Sequence, residues 1–310
     1  MELRQLRAFE MVARCGSFSR AADELNLSQP AVTAQVQGLE RELGLRLLER
    51  LPRRVLPSPA GEVLLDYARQ LLNLEEQASR ALAELKGLKS GTLRVGASPT
   101  IGTYLLPAML GEFKRQYPGL RLIAEIGPTP RVVEELQAHA LDLGLVEAPV
   151  AAEDLVVEPF LTDELVLIVP AGHPWARRRR IRPGDLVGAP IVSREPTSGT
   201  RQLVEERLRS SGVEVTSILE LGGVEAIKNA VAAGLGVSFV SRQAIALEER
   251  LGTLVVVPVE GLDLRRPFYR LLHRHRHLSP TLRAFLDFAG DWRQSGPCLT
   301  SSCGAGAAGR

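Results

Sequence analysis

Between Leu64 and Leu88 the chain carries an unbroken apolar seam. Leu64, Tyr67, Leu71, Leu74, Ala78, Ala81, Leu85 and Leu88 follow one another at spacings of 3, 4, 3, 4, 3, 4 and 3. That period is an a/d stripe running along one helix for over three heptads. Pro59 opens the helix, and Asp66, Arg69, Gln70, Glu75, Glu76, Arg80, Glu84 and Lys86 fill its polar faces. Such a stripe has to be covered, either by the helix's own domain or by a second helix. It joins two separate parts of the chain and has little of its own to cover it, so residues 59–89 read as a linker helix that dimerises. The contact residues are Leu64, Tyr67, Leu71, Leu74, Ala78, Ala81 and Leu85, the alanines allowing close approach.

The segment before the seam, residues 1–58, reads as three short helices and a hairpin. Leu3, Leu6, Phe9, Val12 and Ala13 fall at helical spacing, and Gly16 stops them. Ser17 caps a second helix bearing Phe18, Ala21, Ala22 and Leu25. After the tight Asn26-Leu27 turn, Ser28 stands as N-cap of a third, with Pro30 in its first turn, where a missing N–H costs nothing. Val32, Val36, Leu39 and Leu43 face inward, while Gln29, Thr33, Gln37 and Arg41 face out. Two short helices about a tight turn, the second polar outside, make a helix-turn-helix arrangement. Outward amides such as Gln29 suit base edges in a major groove, and the Thr33 methyl suits a thymine methyl. The Ser28 end of the helix suits a phosphate. Leu47–Arg50 and Val55–Ser58 then form a wing that carries Arg50, Arg53 and Arg54 to phosphates. The candidate DNA-contacting set is Ser28, Gln29, Pro30, Thr33, Gln37, Arg50, Arg53 and Arg54. The alternative is a helical bundle with a solvated polar face.

From Gly91 to about Gly290, strand and helix patterns alternate. Leu93–Ala97, Leu120–Ile126, Asp142–Val146, Glu164–Val169, Pro190–Val192, Ser217–Leu221 and Val237–Val240 read as strands. Tyr104–Tyr117, Arg131–Ala138, Gly199–Ser211 and Val224–Ala233 read as helices. Alternation predicts parallel sheets with helices on both faces. Two such sets predict an α/β domain over 90–293, with lobe I at about 90–162 and 267–293 and lobe II at about 163–266. Ligands of such folds lie at strand carboxyl ends, against helix N-termini. Residues 294–310 hold almost nothing to bury and read as a disordered tail.

Composition narrows the function classes. Apolar residues at 45% and charged residues at 24% are ordinary for a globular chain. A net charge of +2 neither demands nor excludes nucleic acid. Three cysteines, Cys15, Cys298 and Cys303, cannot build a disulfide framework and point to a reducing compartment. With no apolar leader and no run of ~18 apolar residues, the expectation is a cytoplasmic protein without a membrane partner. Neither a Gly-Lys-Ser phosphate loop, nor His-Glu-x-x-His, nor Gly-x-Ser-x-Gly occurs, and Gly234-Leu235-Gly236 precedes a strand pattern rather than a helix. No nucleophile-and-base constellation stands out, so the chain is not expected to be an enzyme or to need a cofactor. His273, His275 and His277 alternate and would share one face of a strand. Arg274 and Arg276 interleave them and carboxylates are lacking nearby, so they read as a surface strand rather than a metal site. Arg177–Arg180 reads as a solvated loop.

Residues 1–290 resemble a LysR-type transcriptional regulator. The resemblance rests on Leu6-Arg7-Ala8-Phe9, Gly16-Ser17-Phe18-Ser19-Arg20-Ala21-Ala22 and Leu27-Ser28-Gln29-Pro30-Ala31-Val32-Thr33. It continues in Leu39-Glu40-Arg41-Glu42-Leu43-Gly44, Leu48-Glu49-Arg50, Pro59-Ala60-Gly61 and Val231-Ala232-Ala233-Gly234-Leu235-Gly236-Val237. Two positions depart: Thr33-Ala34 stands where the family often has Ser-Arg, which removes one phosphate contact, and Leu48 stands where an aromatic is usual. The resemblance implies a mixed fold: a mainly α winged helix-turn-helix, a long dimerising linker helix, and a two-lobed α/β effector domain like periplasmic binding proteins. It also implies a homodimer that assembles into a homotetramer on operator DNA, a small-molecule effector, and RNA polymerase as a further partner.

In the family the effector lies between the lobes. The matching positions are Ser98, Pro99, Thr100, Thr129, Glu147, Thr197, Ser198, Gly199 and Thr200. Hydroxyl-rich helix N-termini without a buried acid favour an anion. The segment from Arg194 to Arg201 resembles members that regulate carbon dioxide fixation and sulfur metabolism. Two rivals come from other classes: a solute-binding protein with a vestigial N-terminal domain, and an enzyme working in the cleft. Salt-dependent binding to duplex DNA separates a regulator from both.

Overall fold

The computed structural model describes residues 1–51, 54–84, 91–196 and 198–295. Three helices come first, α1 (Leu3–Cys15), α2 (Phe18–Leu25) and α3 (Gln29–Leu43), followed by the hairpin strands β1 (Leu48–Leu51) and β2 (Arg54–Pro57). The inward residues anticipated from spacing form one core: Leu6, Phe9, Val12, Phe18, Ala21, Val32, Val36 and Leu39 are all buried. The Val55 N–H donates to the Gly16 carbonyl at 2.9 Å, which ties the wing to the corner between α1 and α2.

Helix α4 (Pro59–Glu84) has two apolar faces. Leu64, Leu65, Ala68 and Leu72 pack against the N-terminal core. Tyr67, Leu71 and Leu74 face outward, 62%, 40% and 49% exposed. Of the expected seam, Leu64 is therefore covered within the chain, and Leu85 and Leu88 lie outside the described residues. The start of α4 rests on the wing backbone: a Cβ on Gly61 would come within 2.0 Å of the Leu47 carbonyl oxygen, so only glycine fits there.

The remainder forms two lobes. In order come β3 (Thr92–Ala97), α5 (Pro99–Tyr104), α6 (Leu106–Gln116), β4 (Arg121–Ile126), α7 (Thr129–Gln137), β5 (Leu143–Val146) and β6 (Leu155–Pro170). Next are β7 (Ile191–Ser193), α8 (Gly199–Ser210), β8 (Ser217–Glu220), α9 (Val224–Ala232), β9 (Ser238–Ser241), α10 (Ala246–Leu251), β10 (Leu254–Val257), β11 (Arg265–His273) and α11 (Pro280–Ser295). The first lobe's sheet runs β4-β3-β5-β11-β6, and its core joins Leu93, Val95, Met109 and Phe113 to Phe268 and Phe285. Strand β6 then changes partners. Residues Leu155 to Glu164 pair with β11, whereas Leu165 onward pairs with β9 and β10 in the second lobe.

The sheets are mixed, not parallel as alternation predicts. β3 lies parallel to β4 and β5, but β11 is antiparallel to β5 and β6. The cause is connectivity: the chain leaves the first lobe along β6 and returns along β11, so the two crossing strands run opposite ways. The expected helix Tyr104–Tyr117 is α6, which starts at Leu106; the short α5 before it is unexpected, and the two part at Leu105, where Pro107 has no N–H to donate to Thr103. Helix α11 runs to Ser295, two residues into the expected tail, and residues 296–310 lie outside the described residues.

The histidines do not share a strand face. β11 ends at His273, the His275 N–H turns back to the His273 Nδ1 at 3.3 Å, and the His273 ring lies against His139, tilted by 42° with centroids 4.3 Å apart. His139 sits where α4 meets the first lobe: Asn73 donates to the Ala138 carbonyl at 2.7 Å and Gln77 to the His139 carbonyl. Alongside, buried Asp142 takes the Arg94 N–H at 2.6 Å and pairs with Arg276, with Arg80 at 3.8 Å.

Burial, with help from His273 and Arg276, holds the His139 imidazole below its ordinary pKa, and Asp154 opposes it weakly. A depressed histidine is neutral in the fold and takes up its proton more readily once unfolded. Stability is therefore lost as pH falls through the ordinary histidine value of about 6.5. His139 has φ +56°, a conformation Asn tolerates, so His139→Asn removes the titration and keeps the turn. Chemical unfolding at pH 7.5 and 5.5 should show a smaller stability loss in His139→Asn than in the wild type. Equal losses would mean that His139 is not the group responsible.

Candidate functional site

Where β6 and β11 cross between the lobes, a buried cation joins three elements. Arg266 stands in register opposite Asp163, and its Nε donates to Asp163 Oδ2 at 3.0 Å. Its Nη1 donates to the Thr200 hydroxyl on α8 at 3.1 Å, and its Nη2 faces Glu147 Oε2 at 3.1 Å. The Ser241 hydroxyl completes Asp163 at 2.6 Å. Burial pushes the Asp163 carboxyl up from its ordinary value, while Arg266 and Ser241 pull it back. Both strand residues obey inward alternation, Arg266 between Leu264 and Phe268, Asp163 between Leu161 and Leu165. A charge at an inward strand position is the sequence signal that would have exposed this pair.

Beside this network lies a cleft of about 500 Å³. Ser98, Pro99, Thr129 and Glu147 line it from the first lobe, and Arg194, Glu195, Ser198, Gly199 and Gln202 from the second. Six expected effector residues, Ser98, Pro99, Thr129, Glu147, Ser198 and Gly199, thus come together. Thr100 and Thr200 do not line the cleft. Both are buried, the Thr100 N–H donating to Glu147 and the Thr200 hydroxyl accepting from Arg266. Thr197 lies outside the described residues.

The two walls differ electrostatically. On the first lobe, Glu147 Oε1 accepts from the Ser98 hydroxyl and the Thr100 N–H, both at 2.9 Å, so the start of α5 is already sealed by an acid. The expected absence of a buried acid does not hold there. On the second lobe the Ser198 hydroxyl makes no capping bond, although first-turn N–H groups have no partner within their helix. Arg194, overlooked in the sequence, is the cation lining the cleft among the described residues. Its guanidinium pairs with Glu195 and holds that carboxyl below its usual range. A second interlobe link joins Tyr104 to Glu225 at 2.7 Å, with buried Lys228 bridging Glu225 and Glu248 at 2.9 and 2.8 Å.

At the other end of the chain, α3 presents Ser28, Gln29, Pro30 and Gln37 exposed and Thr33 half-buried. The Ser28 hydroxyl caps the helix through the Ala31 N–H at 3.4 Å. Arg54 is exposed on the wing, Arg50 lies 4.6 Å over the Phe18 ring, and Arg53 lies outside the described residues. The capped helix start and the hairpin belong to one small domain that shares a single core, a combination suited to a groove and its flanking phosphates.

Two family matches tile the chain. Residues 3–62 match "Bacterial regulatory helix-turn-helix protein, lysR family", and residues 86–294 match "LysR substrate binding domain". A probable RuBisCO transcriptional regulator of Trichormus variabilis is 38% identical over 289 residues, covering 91% of this chain and 86% of the relative. The HTH-type transcriptional activator CmpR of Synechocystis is 36% identical over 286 residues, covering 92% and 94%. Among solved structures, the Synechocystis CcmR regulatory domain in complex with 2-PG is 30% identical with a TM-score of 0.62, covering 67% of this chain and 99% of that one.

Replacing Arg266 with Met would leave Glu147 and Asp163 buried without their shared cation. Stripping one partner from a buried ion pair typically costs about 3–5 kcal/mol, so Arg266→Met should be destabilised by that much in chemical unfolding at neutral pH. A loss below about 1 kcal/mol, the worth of an exposed ion pair, would contradict the role assigned to Arg266.

Proposed function

The chain belongs to the LysR family of transcriptional regulators, and we propose that it controls its promoters in response to a small anion held between the two lobes. The observation that carries this reading is the cleft's second wall, where Arg194 stands beside the uncapped start of α8. Anions are stabilised at such helix starts, and an arginine fork adds a bidentate contact. The 2-PG complex of the CcmR regulatory domain supports a small-molecule ligand for this lobe pair. The names of the relatives support targets among genes of carbon fixation. These relatives are named as regulators rather than enzymes. Among the described residues no helix is long and apolar enough to cross a membrane.

On this reading Gln29 and Thr33 contact base edges, with Gln37 farther along α3. Ser28, Pro30, Arg50, Arg53 and Arg54 set the phosphate contacts. The uncovered face of α4, with Tyr67, Leu71, Leu74 and Ala78, meets the same face of a second copy, and two such dimers form a tetramer on DNA. RNA polymerase is the further partner of an activator. A ligand touching both lobes shifts their arrangement only through its different affinity for the closed and open forms.

Binding to the DNA upstream of the regulated genes, measured by fluorescence anisotropy across salt concentrations with and without 2-PG, tests the reading as a whole. Gln29→Ala should cost about 1–3 kcal/mol on the specific site and little on random duplex. Equal losses on both would remove Gln29 from base reading. The double change Leu71→Asp, Leu74→Asp would place charges in the proposed seam, which is strongly unfavourable. It should sediment as a smaller species and bind DNA more weakly. Wild-type sedimentation at equal concentration would exclude this face as the contact.

A further inference from the structure

Arg194 and Glu195 are neighbours in sequence, and their side chains are paired to each other. Arg194 Nε donates to Glu195 Oε2 at 2.8 Å and its Nη2 to Glu195 Oε1 at 2.7 Å, a two-bond fork. The arginine side chain is only 9% exposed, the glutamate 40%. A pair between consecutive residues joins no two elements of the fold, so it contributes little to holding the lobe together. The surrounding backbone is fixed by other bonds: Arg201 Nη1 donates to the Arg194 carbonyl at 2.9 Å and the Ser198 N–H to the Glu195 carbonyl at 3.0 Å. The glutamate carboxylate is therefore the part free to swing away, and it covers the cation that lines the cleft.

We propose that the Glu195 carboxylate is a built-in placeholder for the effector, occupying the Arg194 fork until an anionic group displaces it. This rests on the reading of the cleft as an anion site and adds a rule of selectivity. A monocarboxylate entering the fork only replaces one carboxylate by another, and it must also give up its own freedom of motion. A phosphate monoester carries more charge at neutral pH and a third oxygen. It can take the fork and reach the first-turn N–H groups of α8 together, so it gains more than Glu195 loses. The site is thereby set for phosphorylated small acids over their unphosphorylated parents.

Calorimetry on the full chain tests this with 3-phosphoglycerate and glycerate as a matched pair, on wild type, Glu195→Gln and Arg194→Gln. Thermal unfolding without ligand checks that each variant is folded. Glu195→Gln keeps the size but removes the competing charge. It should bind 3-phosphoglycerate about tenfold more tightly than wild type, the scale of one charge-assisted hydrogen bond. It should also bind glycerate detectably, narrowing the preference between the two, while Arg194→Gln should bind neither. Unchanged or weaker binding by Glu195→Gln, with wild type still binding, would show that Glu195 positions Arg194 rather than blocking it, and would overturn the placeholder while leaving the anion site standing. Unchanged binding by Arg194→Gln would overturn it as well. If neither wild type nor Glu195→Gln binds either probe, the placeholder falls together with the anion reading.

Discussion

A buried charge has to be neutralised where it sits, and in this chain that requirement falls on Arg266. It lies opposite Asp163, at the end of the stretch in which β6 pairs with β11 and just before β6 passes to β9. Hydrophobic residues replacing Arg266 and both its carboxylate partners together could fill the same space with little loss of stability. They could not reach Glu147 after β5 and Thr200 on α8 from one atom group. The guanidinium thus sets the direction of contacts from both lobes at the point where the chain crosses between them, and the cleft lies against that point.

From this centre follows the unequal character of the cleft walls. Glu147 serves Arg266 with one oxygen and closes the start of α5 with the other. The first lobe therefore offers its ligand hydroxyls and a shielded carboxylate, while the second offers an open helix start and Arg194. On the anion reading, the second lobe holds the ligand and the first is drawn toward it, which orders the steps of closure without any change in the core.

Much of the architecture was legible. Capping residues and apolar spacing located α1, α2 and α3, because Ser17, Ser28, Gly16 and Gly44 act locally. The linker helix was readable from its seam, but its second face was not: Ala68 and Leu72 look like ordinary helix residues until the N-terminal core is placed beneath them. Mixed strand directions escaped, since sense is set by connectivity rather than by pattern. In the cleft, loop-and-helix motifs located the walls but did not show that Thr100 and Thr200 lie buried behind them. Their hydroxyl and amide partners, Glu147 and Arg266, come from positions distant in sequence, and nothing local announces a long-range ion pair. Arg194 and Glu195 were in plain view, and only geometry shows them facing each other.

The close seating of Gly61 on the Leu47 carbonyl has a mechanical consequence. With no side chain between them, the wing and the start of α4 have no slack and must turn as one piece. Partway along, α4 is held to the first lobe by Asn73 and Gln77. The stretch of α4 from Gly61 to Gln77 is about 24 Å long at 1.5 Å per residue, so it acts as a lever arm. A tilt of about 8° at the lobe end becomes a displacement of roughly 3 Å at the wing over that length, comparable to the 3.4 Å step of a DNA base pair along one strand. Small rotations of the sensor are thereby delivered to the hairpin on the scale at which one phosphate is distinguished from the next.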